Sequence, residues 1–386
     1  GGIDYLDFSL AIKTDGTLWA WGRNNESQLG NATYTSTNTP IQIGNSTDWS
    51  SISAGGNFSV AIKTNGTLWT WGLNNYGQLG LGNSAIIGKS TPFQIGTDNT
   101  WNKVELGDYF ALAIKANRTL WSWGRNEKGQ LGDATTADKI SPVQIGANTN
   151  WQIISAGSAH SIAIKNDGTL WCWGRNAEGQ LGDGTIVNKS YPIQIGSATT
   201  WSKISAGGFH SVAILSNGTA KSWGWNGSKQ LGNGTGGNVN VPTQIGQFAP
   251  TWQNYWSSIS AGYNFNIAIT DFGKLRNFGR NDNGQLGDGT NIDQNSNIEC
   301  TTLSLNENLE NNSFLLFPNP ANNSLNIKKS NHQFIDHIEI IDVLGKKVYE
   351  KYGDIEQIDI QNLDNGMYLL SIFSENKKIV VKFIKR

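Results

Sequence analysis

The stretch W-C-W-G-R-N-A-E-G-Q-L-G at 171–182 is the unit on which the chain is built. It returns at 19–30 as W-A-W-G-R-N-N-E-S-Q-L-G, at 69–80 and 121–132, and in altered form at 221–232 and 276–287. The glycine behind the aromatic falls at Gly22, Gly72, Gly124, Gly174, Gly224 and Gly279, in steps of 50, 52, 50, 50 and 55 residues. Self-similarity at this period signals stacked supersecondary units, none able to bury its apolar face alone.

One whole unit reads from 57 to 107. S-V-A-I-K (59–63) alternates as a short strand does, and L-W-T-W-G (68–72) is the returning strand, with Trp69 and Trp71 on one face. Between them T-N-G-T (64–67) predicts a two-residue turn with positive φ at both central positions. The polar loop N-N-Y-G-Q-L-G (74–80), a variable tip, T-P-F-Q-I-G (91–96) and W-N-K-V-E-L-G (101–107) complete it. About four short strands and no helical period make an all-β chain of propeller blades. The turn recurs at Asp15-Gly16, Asp167-Gly168 and Asn217-Gly218, and departs to Phe272-Gly273 and to Asn117-Arg118, which is expected to strain the turn or change its type.

Most of the 16 tryptophans occupy three repeat positions, the two in W-x-W-G and the one in W-x-x-I-S-A-G, where they read as wedges packed between blades. The first unit lacks its W-x-x-I-S-A segment and the last runs on to N-S-N-I-E-C (295–300), so the two ends are expected to pair if the ring closes. Six units are visible. The chain opens in mid-repeat, at G-G-I-D-Y-L-D-F-S-L-A-I-K, so its native start, a signal peptide and room for a seventh unit are expected upstream.

Composition narrows the function. With 15% charged residues and a net charge of -1, the chain has no general attraction for nucleic acid or an anionic membrane. No apolar run is long enough to span a bilayer. Two cysteines, Cys172 and Cys300, make neither a disulfide framework nor a metal cluster. His160 and His210 stand where other units carry Phe8, Phe58, Phe110 and Phe265, so they read as packing rings. His332 and His337 have no ligand pattern suited to zinc. The L-G-D-G-T turns at Asp183 and Asp288, varied at Asp133 and Asn233, read as turn chemistry before calcium chemistry. No nucleophile elbow, phosphate loop or H-E-x-x-H motif occurs, so no enzyme, cofactor or metal is expected.

Candidate binding residues fall in two sets. The position after W-G carries Arg23, Arg125, Arg175, Arg280 and Trp225, and in a propeller these share one end, where four guanidinium groups form an anionic-ligand or partner site. The competing account is that each arginine stacks on a tryptophan or pairs with a carboxylate such as Glu26 or Glu178. The second set is the variable loops, with Tyr34, Tyr76, Tyr191 and the insertion at 247–255 that contains Trp252.

Periodicity stops near 291. The reading is a propeller at 1–299, an Asn-rich linker at 300–313 and a separate small β-sandwich at 314–386, which lacks tryptophan.

The unit A-G-x-x-H-S-x-A-I-K-x-D-G-T-L-W-x-W-G-R-N-x-x-G-Q-L-G, clearest at 156–182, resembles the regulator of chromosome condensation repeat. The resemblance implies a β-propeller, usually of seven blades, in a family that includes a nucleotide exchange factor for a small GTPase and a protein inhibitor of β-lactamases. The tail is similar to the C-terminal sorting domain of the type IX secretion system of Bacteroidota. That likeness rests on F-P-N-P-A (317–321, with Pro318, Asn319 and Pro320), I-D-V-L-G-K-K-V (341–348, with Gly345), L-D-N-G-M-Y-L-L-S-I (363–372, with Gly366 and Tyr368) and the basic end K-F-I-K-R. It implies handling by the type IX machinery and a secreted or surface protein. Together these point to a non-enzymatic scaffold that binds an extracellular protein, with carbohydrate binding as the alternative and nucleotide exchange behind both.

Overall fold

The structure, a computed structural model, describes residues 8–246, 255–271, 273–299, 314–318, 320–329, 334–342, 345–374 and 377–386. The expected linker at 300–313 with Cys300, and also Trp252, Phe272, Asn319 and His332, lie outside the described residues. The chain divides into two compact units, Gly1–Cys300 and Thr301–Arg386, and the described elements are all strands joined by turns and loops.

Among the described residues the first unit is a propeller of six antiparallel sheets. The pattern sheet has four strands in sequence order, Trp49–Ala54, Phe58–Lys63, Leu68–Leu73 and Gly88–Gln94, and it repeats from Trp101, Trp151, Trp201 and Trp256. The first described sheet has three, Phe8–Ile12, Leu18–Gly22 and Thr37–Gln42, the counterparts of the second to fourth strands. Among the described residues no strand of the last sheet pairs with one of the first, so the end pairing expected from sequence is not seen. Each blade closes its own ladder, and neighbouring blades meet through side chains and through single backbone bonds such as Ala134 N to Ser190 O (2.8 Å) and Gly184 N to Asn240 O (2.8 Å).

Those side-chain joints explain the period. The Gln130 carbonyl of one blade accepts from Ser161 Oγ (2.8 Å) and Trp173 Nε1 (2.9 Å) of the next. Gln180 O receives the same pair from Ser211 (2.8 Å) and Trp223 (2.9 Å), and Gln28 O from Ser59 (2.7 Å) and Trp71 (2.8 Å). In the last blade Phe278 replaces the tryptophan, and Asn266 Nδ2 donates to Gln230 O at 2.6 Å. Donor and acceptor therefore recur in step, one blade apart. Gly174 must be glycine: its φ is +98° and a Cβ would lie 2.6 Å from Ala159 O.

The hairpin turn corrects the expectation. Lys165 N donates to Thr169 O (3.1 Å) and Gly168 N to Lys165 O (2.9 Å), so the loop has three residues, with only the glycine left-handed. The Asp167 carboxylate closes it, accepting from Thr169 N (3.0 Å) and Thr169 Oγ1 (2.6 Å). An acidic or amide side chain that mimics a backbone turn is what the two-residue rule overlooks. Arg118 keeps this turn type at a strained φ of +63°.

The second unit stacks two sheets on one core. Phe314–Phe317, Ser324–Lys329 and Gln357–Asp359 form one; Lys347–Tyr352, His337–Asp342, Gly366–Ser374 and Lys377–Lys385 form the other. Leu325, Ile338, Ile340, Leu370, Ile372 and Phe383 fill the space between. Tyr368 donates its hydroxyl to Asp364 O (2.9 Å) and stacks on Phe383, and Gly345 forms a left-handed turn at φ +82°. Pro318 and Pro320 are exposed, Gly366 pairs with Lys385, and Ala321 N donates to Ile384 O (2.8 Å), which ties Ala321 to the final strand.

Candidate binding face and axial cavity

Strand direction decides which loops gather. Phe58 pairs with Gly72 and His160 with Gly174, so the A-G-x-x turns and the loops after W-x-W-G share one end of the propeller, opposite the hairpin turns. Arg23, Arg125, Arg175, Arg280, Trp225 and Tyr76 all stand at that end.

The arginines do not form a free cationic ring. Arg175 holds Glu178 through two bonds (2.7 and 3.1 Å) and lies over Phe209, with its guanidinium 4.8 Å from the ring centroid. Arg125 pairs with Glu127 (2.7 Å) and covers Tyr76 at 4.8 Å. Arg280 pairs with Asp282 (2.6 Å). Arg23 differs: its Nη1 is buried without a hydrogen-bond partner among the described residues. The stacking partners are Tyr and Phe, not Trp, because the tryptophans lie inside the blades. Trp225 is half-buried and its ring lies over Gly227 of its own loop. What the structure does assemble is two mixed clusters, Tyr76–Tyr109–Arg125–Glu127 and Phe209–Tyr263–Arg175–Glu178, with ring centroids 5.3 Å apart in the first and 5.5 Å in the second.

These clusters adjoin a feature that sequence reasoning missed. The first strands of five sheets converge on an axial cavity of about 270 Å³, lined by backbone and small residues around Ser53, Ser155, Ser205 and Ser260. Three of these serines tie neighbouring blades together, with Ser53, Ser155 and Ser205 Oγ accepting from Leu106, Ala206 and Ala261 N (3.1, 3.0 and 2.9 Å). In the blade that starts at Trp101, Glu105 occupies the serine slot. It stays open to water in the cavity, yet protein surrounds it, and this desolvation pushes its carboxyl up to about 7 against the pull of Lys103. Asp108, two positions before Phe110, also lines the cavity, is raised by burial, and accepts a hydrogen bond from Ser158 Oγ. Tyr263 fills the corresponding place in the last blade. The signal was present as two carboxylates, one at a position held elsewhere by Ser53, Ser155, Ser205 and Ser260, the other at a position held by Gly56, Ser158, Gly208 and Tyr263.

His160 and His210 sit directly behind the cavity wall and are fully buried. His160 Nε2 meets Ser211 Oγ at 3.0 Å and His210 Nε2 meets Asn266 Oδ1 at 3.1 Å, while both Nδ1 atoms lack partners among the described residues. Burial drives His160 down to about 3 and His210 to about 4. Asp183 is consumed by its turn, accepting from Thr185 N (2.9 Å) and Asn176 Nδ2 (3.0 Å) and facing Lys189 at 3.4 Å. In the second unit His337, Glu339 and Glu350 come together, a grouping not foreseen from sequence. Lys347 occupies it, 3.4 Å from Glu339 and 2.9 Å from Glu350, so a metal would have to displace an ammonium.

Comparisons with known proteins agree with this architecture. The RCC1-like domain family matches residues 6–315, and the secretion system C-terminal sorting domain matches 315–386. No curated protein matches the chain. Among solved structures, human WBSCR16 is 23% identical, with a TM-score of 0.67 over 76% of this chain and 79% of that one. Yeast RCC1 (Prp20), solved bound to Kap60, is 20% identical, with a TM-score of 0.68 over 81% and 75%. Prp20p from Saccharomyces cerevisiae, in a study of its binding to Gsp1p and histones, is 21% identical, with a TM-score of 0.67 over 80% and 77%. At these identities the likeness is one of fold. The chain belongs to the RCC1-like domain family and ends in a type IX secretion C-terminal sorting domain, which makes it a protein for export to the cell surface or beyond.

Proposed function

We propose that the propeller is a non-catalytic scaffold that binds an extracellular protein on the face around the axial cavity. One observation carries the reading: the residues that break the repeat at this end, Glu105, Asp108, Tyr109 and Tyr263, converge beside the Arg125 and Arg175 clusters. Aromatic and arginine side chains around a polar depression are the groups that dominate binding energy in protein interfaces. The propeller core needs neither carboxylate nor Tyr263, because other blades place Ser at the Glu105 position and Gly or Ser at the position of Asp108 and Tyr263. The exchange-factor branch of the family acts on a cytosolic GTPase, which the export tail puts out of reach. The test is capture of extracellular proteins by the full chain, beside an Arg125→Ala/Arg175→Ala variant. The expected outcome is a retained protein whose affinity falls at least about tenfold in the variant, with the melting temperature nearly unchanged. Equal loss of binding and stability, or a partner indifferent to both arginines, would sink the reading.

A further inference from the structure

A second depression lies on the outer wall, away from the axial face. We propose that this groove, between the sheet of residues 101–144 and the sheet of residues 151–194, binds a sugar ring of a neutral extracellular glycan. The groove encloses about 380 Å³, within the range of small-molecule sites. Trp171, Tyr191 and Pro192 line one side, and Gln144 and Asn148 line the other.

Tyr191 is the starting observation. It precedes the proline of its outer strand, where other sheets carry Thr39, Thr91, Ser141 and Val241, and its side chain is 55% exposed. The fold is built four times without an aromatic here, so packing does not account for it. Beside it, Trp171 is half-buried, with Lys165 over one face at 3.7 Å.

The polar groups complete the chemistry. Gln144 uses Nε2 on Gly146 O (3.0 Å), which leaves Oε1 available. The Asn148 amide and the Tyr191 hydroxyl make no hydrogen bond among the described residues, so donors and acceptors stand ready beside the rings. Asp133 is the one charged residue of the lining, and Lys139 neutralises it at 3.1 Å while Asn126 and Thr135 fill its oxygens. Exposed aromatic carbon with uncommitted amide and hydroxyl groups, and no net charge, suits a pyranose, whose C–H face is apolar and whose rim is hydroxylated. It offers nothing to an anionic sugar.

The full chain is tested for retention on insoluble neutral polysaccharides (β-glucan, mannan, xylan and galactan), with polyuronate, sulfated polysaccharide and an extracellular protein fraction in parallel. Tyr191→Ser is the informative variant, because Ser141 already holds the equivalent position in the neighbouring sheet and the fold accepts it. Asn148→Ala is the second. The expected result is retention on a neutral polysaccharide that weakens at least about tenfold in Tyr191→Ser and also weakens in Asn148→Ala. Melting temperatures stay level, and Arg125→Ala/Arg175→Ala does not alter retention. Retention on no neutral polysaccharide, retention indifferent to Tyr191, or a Tyr191-dependent preference for the anionic sugars or for a protein would each overturn the proposal. Because the axial variant is run beside it, failure here is distinguishable from failure of the protein-binding face.

Discussion

His160 stands where four other repeats carry phenylalanine, and the protein keeps it neutral by burying it. In the unfolded chain a histidine titrates near 6.5, so between that value and about 3 the unfolded state binds a proton that the native state refuses. The sign follows: this residue subtracts nothing above neutral pH, and stability falls as pH falls below about 6.5. At pH 5 the loss is about 2 kcal/mol for one such histidine. Glu105 works in the opposite direction, since its native carboxyl holds a proton up to about 7 and its contribution is lost as pH rises toward that value. A comparison at a single residue separates the two. His160→Phe should shrink the drop in unfolding free energy between pH 7 and pH 5 by about 2 kcal/mol, leaving the Glu105 contribution in place. Its neighbour Ser211 still bonds Gln180 O at 2.8 Å, so the substitution orphans no buried hydroxyl. Denaturant titrations at the two pH values give the answer, and a difference from wild type that does not change with pH would rule the account out.

At the scale of the element, the blade-to-blade joint is the unit of stability. Trp173→Phe keeps most of the buried ring and removes one donor to Gln130 O, which retains Ser161 at 2.8 Å. A cost of about 0.5–1.5 kcal/mol is expected, and the last blade already lives with Phe278 at this position. Trp173→Ala adds a cavity and should cost about 3–5 kcal/mol. Chemical denaturation of both variants measures the gap, and equal costs would show that the Gln130 bond, not the ring, dominates. This joint also shows what a sequence can tell. The recurrence of Trp173 and of Gln130-Leu131-Gly132 was plain, and with it the blade and the wedge role of tryptophan. That the Gln130 carbonyl is the acceptor was not, because period locates positions without saying which atoms face each other across a gap. The same limit hid the axial cavity: Glu105 sits in a strand pattern that reads only as alternating, and nothing local says that its face looks onto the axis. The period gave the arginines one shared end, but the carboxylate partners Glu127 and Asp282 come from loops too variable for the repeat to expose.

At the scale of the whole molecule, two units with separate cores divide the labour. The propeller clusters are built from residues 8–278, and the tail buries its own set from Leu316 to Phe383. A tail that folds around its own core can act as an address, and a propeller with its own clusters and blade ladders has what it needs to fold. Removing residues 315–386 is therefore expected to leave a folded propeller that no longer leaves the cell, because the matched sorting domain is gone. Fractionation of the native host, followed by a protease challenge and circular dichroism of the retained fragment, reads both halves of the expectation. Tyr368→Ala tests the tail without truncation. It removes the hydroxyl bond to Asp364 O and the stack on Phe383, so export should fall with the fold of the tail while the propeller melts as before. Undiminished export of the truncated chain would mean that the address lies elsewhere in the protein. Loss of the propeller fold on truncation would mean that the two cores depend on one another in folding.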